Sequence, residues 1–164
     1  MAIRNIVQDG DPILKKKSRL VEKFDDRLHQ LLEDMKDTLT EAKGAGLAAV
    51  QVGVLRQVCI IDVEEDEPVI ELINPVILEE EGCQNGAEGC LSFPGQFGLV
   101  KRPMKVTVRA QDRNGNYFEK TAEGFAARAF SHEIDHLHGI TYDTKVSRML
   151  TEEELESGEY EIDD

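Results

Sequence analysis

His132, Glu133, Ile134, Asp135 and His136 form an H-E-x-x-H run inside Gly124 to Gly139, GFAARAFSHEIDHLHG. On a helix four residues advance about 400°, so the two histidines lie about 40° apart on one face. Two imidazoles placed that way can hold one metal ion from the same side. Glu133 follows the first histidine and projects from a flank of that face. There its carboxylate can reach a water on the metal rather than the metal itself. The chemistry open to such a set is metal-assisted hydrolysis. The same run also arises by accident, as a solvated helix end with unrelated histidines.

A helix must present these groups, and the residues around them favour one. Phe125, Ala126, Ala127, Ala129, Phe130 and Ile134 are small or apolar, with no Pro or internal Gly. Gly124 stands at the start and Gly139 fits a C-terminal stop. Arg128 is the main polar surface before the histidines, so the helix is predicted to be mostly buried. Unpaired buried polar groups are costly, and a metal would satisfy two His, a Glu and an Asp there.

Two histidines leave a catalytic site one ligand short, since such sites generally use three protein ligands and keep one position for water. His29 falls in an earlier helix and is predicted to be exposed. His138 lies about 240° around from His132 and faces away. Cys90, in Glu88-Gly89-Cys90-Leu91-Ser92-Phe93-Pro94, sits on a segment predicted to be irregular and able to present its sulfur. Taken alone, a cysteine there is more commonly a small buried residue than a ligand.

Elsewhere the pattern is simple. Phe24 to Ala42 reads as an amphipathic helix, with Leu28, Leu31, Leu32, Met35 and Leu39 on one face and Asp25 as N-cap. Gly44-Ala45-Gly46-Leu47-Ala48-Ala49-Val50-Gln51 follows. Its glycines leave backbone uncovered, as a simple linker or as a place for a ligand chain to approach. Gln57 to Asp62 and Val69 to Leu78 read as strands, with Pro75 marking an edge or bend and Glu64 to Glu67 an exposed turn. Glu79-Glu80-Glu81 reads as a solvated loop. Lys105 to Asp112 and Tyr117 to Glu123 form a hairpin about Arg113-Asn114-Gly115-Asn116. Adjacent hairpins with helices at either end predict an α+β fold of antiparallel sheets around the helix that carries the histidines.

At 164 residues the chain suits one domain. Net charge is −14, and Thr151 to Asp164 holds eight acids with no Lys or Arg, so residues 1–150 carry −6. That balance argues against binding nucleic-acid phosphates or an anionic membrane. Three cysteines make no disulfide framework, and Cys59 lies in an apolar run. With no long apolar segment, the expected setting is the reducing cytoplasm. Thr151 with Glu154 makes a capping box, so the tail is expected to start as a short helix.

Gly44 to Gln51, Glu88 to Ser92 and His132 to His136 together resemble the three motifs of the peptide deformylases. They occur in that family's order, with 42 positions between Cys90 and His132. The resemblance runs to about residue 147 and implies a catalytic domain over 1–150 followed by an acidic tail, 151–164. It implies hydrolysis of the formyl group from N-formyl-methionyl nascent peptides. Cys90, His132 and His136 would hold one divalent metal, Fe²⁺ by resemblance. The sulfur-containing set also suits Zn²⁺, Ni²⁺ or Co²⁺. Glu133 would be the general base and acid, with Gln51 and the Leu91 N–H stabilising the oxyanion. Gly46 and Gly89 would lie beside the substrate backbone, and Phe125 and Ala129 are candidates for the methionine pocket.

The chain departs from the family in two places. Ser131 stands where many members carry Gln, and the acidic tail is unlike the basic segment with which some members dock on the ribosome. Two other readings fit the H-E-x-x-H run. One is a different metallohydrolase, such as an aminopeptidase with a carboxylate or third His as ligand. The other is a non-catalytic module with a closed site and Cys83 as fourth ligand. Seven positions separate Cys83 from Cys90, against the two to four usual for structural zinc.

Overall fold

The computed structural model describes residues 2–63 and 67–158. The predicted turn at Glu64 to Glu67 lies mostly outside them. Helix α1 spans Asp26–Ala42, with Asp25 accepting from the Leu28 N–H. It ends on Lys43, which itself takes the left-handed conformation (φ 56°) and bonds back to Leu39 and Thr40. Gly44 is therefore spared the role of helix stop. His29 is half-buried rather than exposed, with Nε2 2.8 Å from the Arg113 carbonyl oxygen.

Strands β1 (Gly46–Ala48), β2 (Val58–Ile61) and β3 (Ile70–Glu81) follow α1. After them come β4 (Gln84–Cys90), β5 (Phe93–Arg102), β6 (Lys105–Gln111), β7 (Tyr117–Glu123), helix α2 (Phe125–Leu137), β8 (Val146–Met149) and a short helix α3 (Glu152–Ser157). The order β1-β2-β3-β6-β7 forms one antiparallel sheet and β4-β5-β8 another.

Alternation along the central strands fixes the layers. Cys59, Ile61 and Leu72 face α2 with Val106, Val108, Phe130 and Ile134. Val58, Ile60 and Ile73 face α1 with Leu32, Met35 and Leu39. The larger sheet is thus buried on both faces at β2. Period-two side chains allow this only if nearly every residue is apolar, as in Val58-Cys59-Ile60-Ile61.

Two expectations require correction. Glu79, Glu80 and Glu81 are not a loop: they extend β3 and pair with Thr107, Val106 and Lys105. Their side chains are solvated, so the charges conceal a strand whose support is its ladder to β6. The segment around Cys90 is likewise not irregular. Gln84–Cys90 is a strand, and the register shifts only between Gly89 and Cys90. That bulge re-aims the last residue of β4.

Pro75 does mark a bend. Asn74 at φ 53° and a register shift between Ile73 and Val76 break β3 there. The Asn74 amide accepts from the Val21 N–H and donates to the Val21 carbonyl, at 2.8 and 2.9 Å.

Candidate metal centre

Helix α2 is fastened at both ends. Gly124 at φ 62° donates to the Met104 carbonyl, and its own carbonyl accepts from Gln84. At the far end Gly139 is at φ 76°, and a Cβ there would meet the Lys15 carbonyl oxygen at 2.5 Å. Only glycine meets both demands. Between these anchors His132, Glu133 and His136 are buried, at 6, 5 and 0 % exposure.

The bulge at Gly89 brings the end of β4 over this helix. Cys90 Sγ and one ring nitrogen each of His132 and His136 lie within 4.8 Å of one another. Sγ is 3.4 Å from His136 Nε2. His132 Nδ1 lies 2.6 Å from Glu88 Oε2, which leaves Nε2 as its ligand atom. Burial, reinforced by His132, drives the His136 pKa well down, so this ring is neutral and its lone pair is available. At His132 burial opposes the proton, yet Glu133, Cys90 and Glu88 outweigh it and push the pKa up. The negative groups gathered around His132 are of the kind that a divalent cation answers. The donors fit one soft-tolerant ion. Cys83 is exposed and lies outside the cluster.

Glu133 stands beside the donors, not among them. Its Oε1 is buried with no hydrogen-bond partner among the described residues. A Cβ on Gly46 would meet Oε2 at 2.7 Å, so the bare backbone of β1 is what gives the carboxylate room. Burial raises the Glu133 pKa to about 7, against the pull of His132. Gln51 is 1 % exposed and fixed at both ends. Its Oε1 accepts from the Ala48 N–H at 2.9 Å, while Nε2 donates to Ser92 Oγ at 3.1 Å and lies 3.5 Å from Cys90 Sγ.

A cavity of about 390 Å³ joins these groups, with Gly46, Gln51, Gly89, Cys90, Leu91 and Glu133 on its walls. That is ample for a short peptide side chain and its backbone. Ala129 and Phe125 also line it; Ala129 is buried at 7 % exposure and Phe125 lies open at 60 %. A Cβ at Gly89 would meet the Phe97 ring at 2.5 Å. Ser131 is buried, and its Oγ has no partner among the described residues, which nothing nearby explains.

Charged residues behind the donors were not legible as a set. Glu88 accepts from Arg102 Nε and Nη2 at 3.0 and 2.6 Å, from Arg128 Nη1 at 3.0 Å, and faces His132. Burial opposes its charge, but Arg102 and His132 hold it well below the usual carboxylate range. Arg102 also pairs with Asp135 at 2.7 Å, and Asp135 with Lys145 at 2.8 Å. Arg128, expected as the one polar surface residue of a mostly buried helix, is itself buried, at 5 % exposure. Its place four residues before His132 was the available signal, since i and i+4 share a face.

A thiolate-capable sulfur and two imidazoles with a carboxylate alongside, opening on a cavity beside a bare strand edge, define a metal-dependent hydrolase of peptide-like substrates. The polypeptide deformylase family model matches residues 3–152. A peptide deformylase of Caldicellulosiruptor bescii is 57 % identical over 156 residues, covering 95 % of this chain and 93 % of that one. The crystal structure of peptide deformylase from Thermotoga maritima superposes with a TM-score of 0.86 at 38 % identity, covering 90 % of this chain and 99 % of its own. A Met-Ala-Ser-bound class I type b peptide deformylase from Acinetobacter baumannii gives 0.84 at 31 % identity, covering 88 and 98 %.

The chain belongs to the peptide deformylase family. It is a metal-dependent hydrolase that removes the N-formyl group from the formyl-methionine at the start of new peptides. Among the described residues no helix is long and apolar enough to cross a membrane.

Proposed function

We propose that Cys90, His132 and His136 hold a single divalent ion, Fe²⁺ in the cell, and that Glu133 is the proton-transferring group. The observation that carries this reading is the convergence of those three donor atoms within 4.8 Å, with the Glu133 carboxylate against Gly46. Bound there, the ion supplies Lewis acidity, lowering the pKa of a water and polarising the formyl carbonyl. Glu133 accepts the proton of the attacking water and later delivers it to the departing amine nitrogen. A carboxyl whose pKa burial has raised toward 7 is matched to both transfers. Gln51 Nε2 and the Leu91 N–H stabilise the oxyanion as it forms, with the Gln51 amide held in place through its Oε1 bond to the Ala48 N–H.

Gly46 and Gly89 admit the substrate backbone between β1 and β4, and Ala129 and Phe125 wall the methionine side chain. The Met-Ala-Ser tripeptide in the Acinetobacter baumannii relative is the product such a pocket would hold. The expected place of work is the cytoplasm, where formylated chains are made, without nucleic acid or membrane as partner.

Formyl should be preferred strongly over acetyl on one peptide. A methyl as a simple contact is worth about 1–3 kcal/mol. Here it also pushes the carbonyl off its line of attack, which can cost about 10²-fold more. The test is kcat/KM for formyl-Met-Ala-Ser against acetyl-Met-Ala-Ser; similar values would turn the reading toward a general amidohydrolase.

The catalytic unit is proposed to end near residue 150. Helix α3 buries no residue, and its described ties include the Thr151–Glu154 capping box and the Arg148–Glu154 pair. Removing Thr151 to Asp164 should leave kcat/KM on short formyl peptides within about twofold. A large fall would place the tail against the site and move the boundary.

A further inference from the structure

The cavity wall contains a buried cation of which the metal centre uses only one side. Arg128 is on α2, one turn before His132 and on the same side, and it lines the cavity with Ala129 and Phe125. Its Nη1 donates to Glu88 Oε1 at 3.0 Å and to the Val100 carbonyl at 2.9 Å. Nη2 makes no hydrogen bond among the described residues. It stands over Gly86 of β4, where a Cβ would come within 3.2 Å, so the strand offers no side chain there to accept from it. Ala87 and Gly89 of β4 and Phe125 and Ala129 of α2, which line the same cavity, carry no side-chain acceptor either.

Charge points the same way. Among the described residues, Arg102, Arg128 and Lys145 share Glu88 and Asp135 between them. A guanidinium nitrogen that opens on the cavity without a protein acceptor gains from any acceptor that a ligand brings.

We infer that Arg128 donates a hydrogen bond to the tip of the substrate's first side chain, and that peptides beginning with N-formyl-methionine sulfoxide are therefore substrates alongside formyl-methionine. This rests on the reading of Ala129 and Phe125 as walls of the methionine pocket. A thioether sulfur is a weak acceptor, whereas oxidation makes the same side chain polar and gives it a strong acceptor oxygen. In an all-apolar pocket that oxygen would be desolvated without return; beside Arg128 it is paired. The reaction itself is unchanged. Water adds across the formyl carbon–nitrogen bond, formate and the free amine leave, and the sulfoxide is not consumed.

The experiment compares kcat/KM of the metal-loaded full chain on formyl-Met-Ala-Ser, its methionine sulfoxide form and its norleucine form. Norleucine keeps the shape and has no acceptor. The sulfoxide is expected within about tenfold of methionine, where an unpaired oxygen would cost about 10- to 100-fold or more. In Arg128→Met the sulfoxide-to-norleucine ratio should fall by at least about tenfold, and Arg128→Lys should recover part of it.

Taking the ratio within one protein removes any loss of metal transmitted through Glu88. Competitive inhibition by the deformylated sulfoxide and norleucine tripeptides reads the same ratio without turnover. Rejection of the sulfoxide by 100-fold or more in the wild type, or an unchanged ratio in Arg128→Met, would overturn the inference. Failure of the wild type on formyl-Met-Ala-Ser itself would instead overturn the proposed function.

Discussion

Glu133→Ala is expected to keep its metal and lose its turnover. The carboxylate lies beside the three donors and outside their set, so its removal takes nothing from the ion. Loss of a general acid–base group costs about 10² to 10⁴-fold, and more when one group serves both the attack and the departure of the amine. Metal content by elemental analysis together with kcat on formyl-Met-Ala-Ser checks both halves. Near-normal turnover would remove Glu133 from the chemistry.

Stability should move the other way. Folding raises the Glu133 pKa to about 7, so the folded state favours the protonated form. The carboxyl therefore costs stability increasingly as pH rises from its unfolded value, about 4.3, through 7. Metal-free Glu133→Gln should melt at or above metal-free wild type at pH 8, with the gap closing toward pH 4.

Cys90→Ala is expected to lose tightly bound metal and activity together. It takes away one of three donors and the only sulfur among them, and leaves two imidazoles to hold the ion alone. Cys83→Ala should change neither, because that thiol is exposed and outside the cluster. Metal retained by dialysed Cys90→Ala would show that the ligand set is wrong. Metal stripped by Cys83→Ala would revive the closed four-ligand module.

Helix α1 was legible from apolar residues at helical spacing and its Asp25 cap, and α2 from a run of small and apolar residues bounded by Gly124 and Gly139. The ligand pair was legible because i and i+4 share a face of any helix. Cys90 was different. Its residues alone favoured a small buried thiol, and only the resemblance singled it out. What delivers its sulfur is a register shift after Gly89, a property of the β4–β5 pairing that no local pattern encodes.

The smaller sheet was missed because β4 reads Gln-Asn-Gly-Ala-Glu-Gly-Cys, with two glycines and no alternation. Long-range charge pairing accompanies that ladder, with Glu88 bonded to residues 14, 40 and 44 positions away. Glu79 to Glu81 misled in the opposite sense. A run of like charges reads as loop, yet an outer strand end held by its neighbour's backbone tolerates it.

The donor set itself is open to direct measurement by X-ray absorption at the metal edge of the zinc-substituted enzyme. One sulfur at about 2.3 Å and two imidazole nitrogens at about 2.0–2.1 Å are expected, with one light scatterer from solvent. The sulfur shell should be absent in any zinc complex that Cys90→Ala can be made to form. A wild-type spectrum with no sulfur, or with two, would contradict a site built from Cys90, His132 and His136.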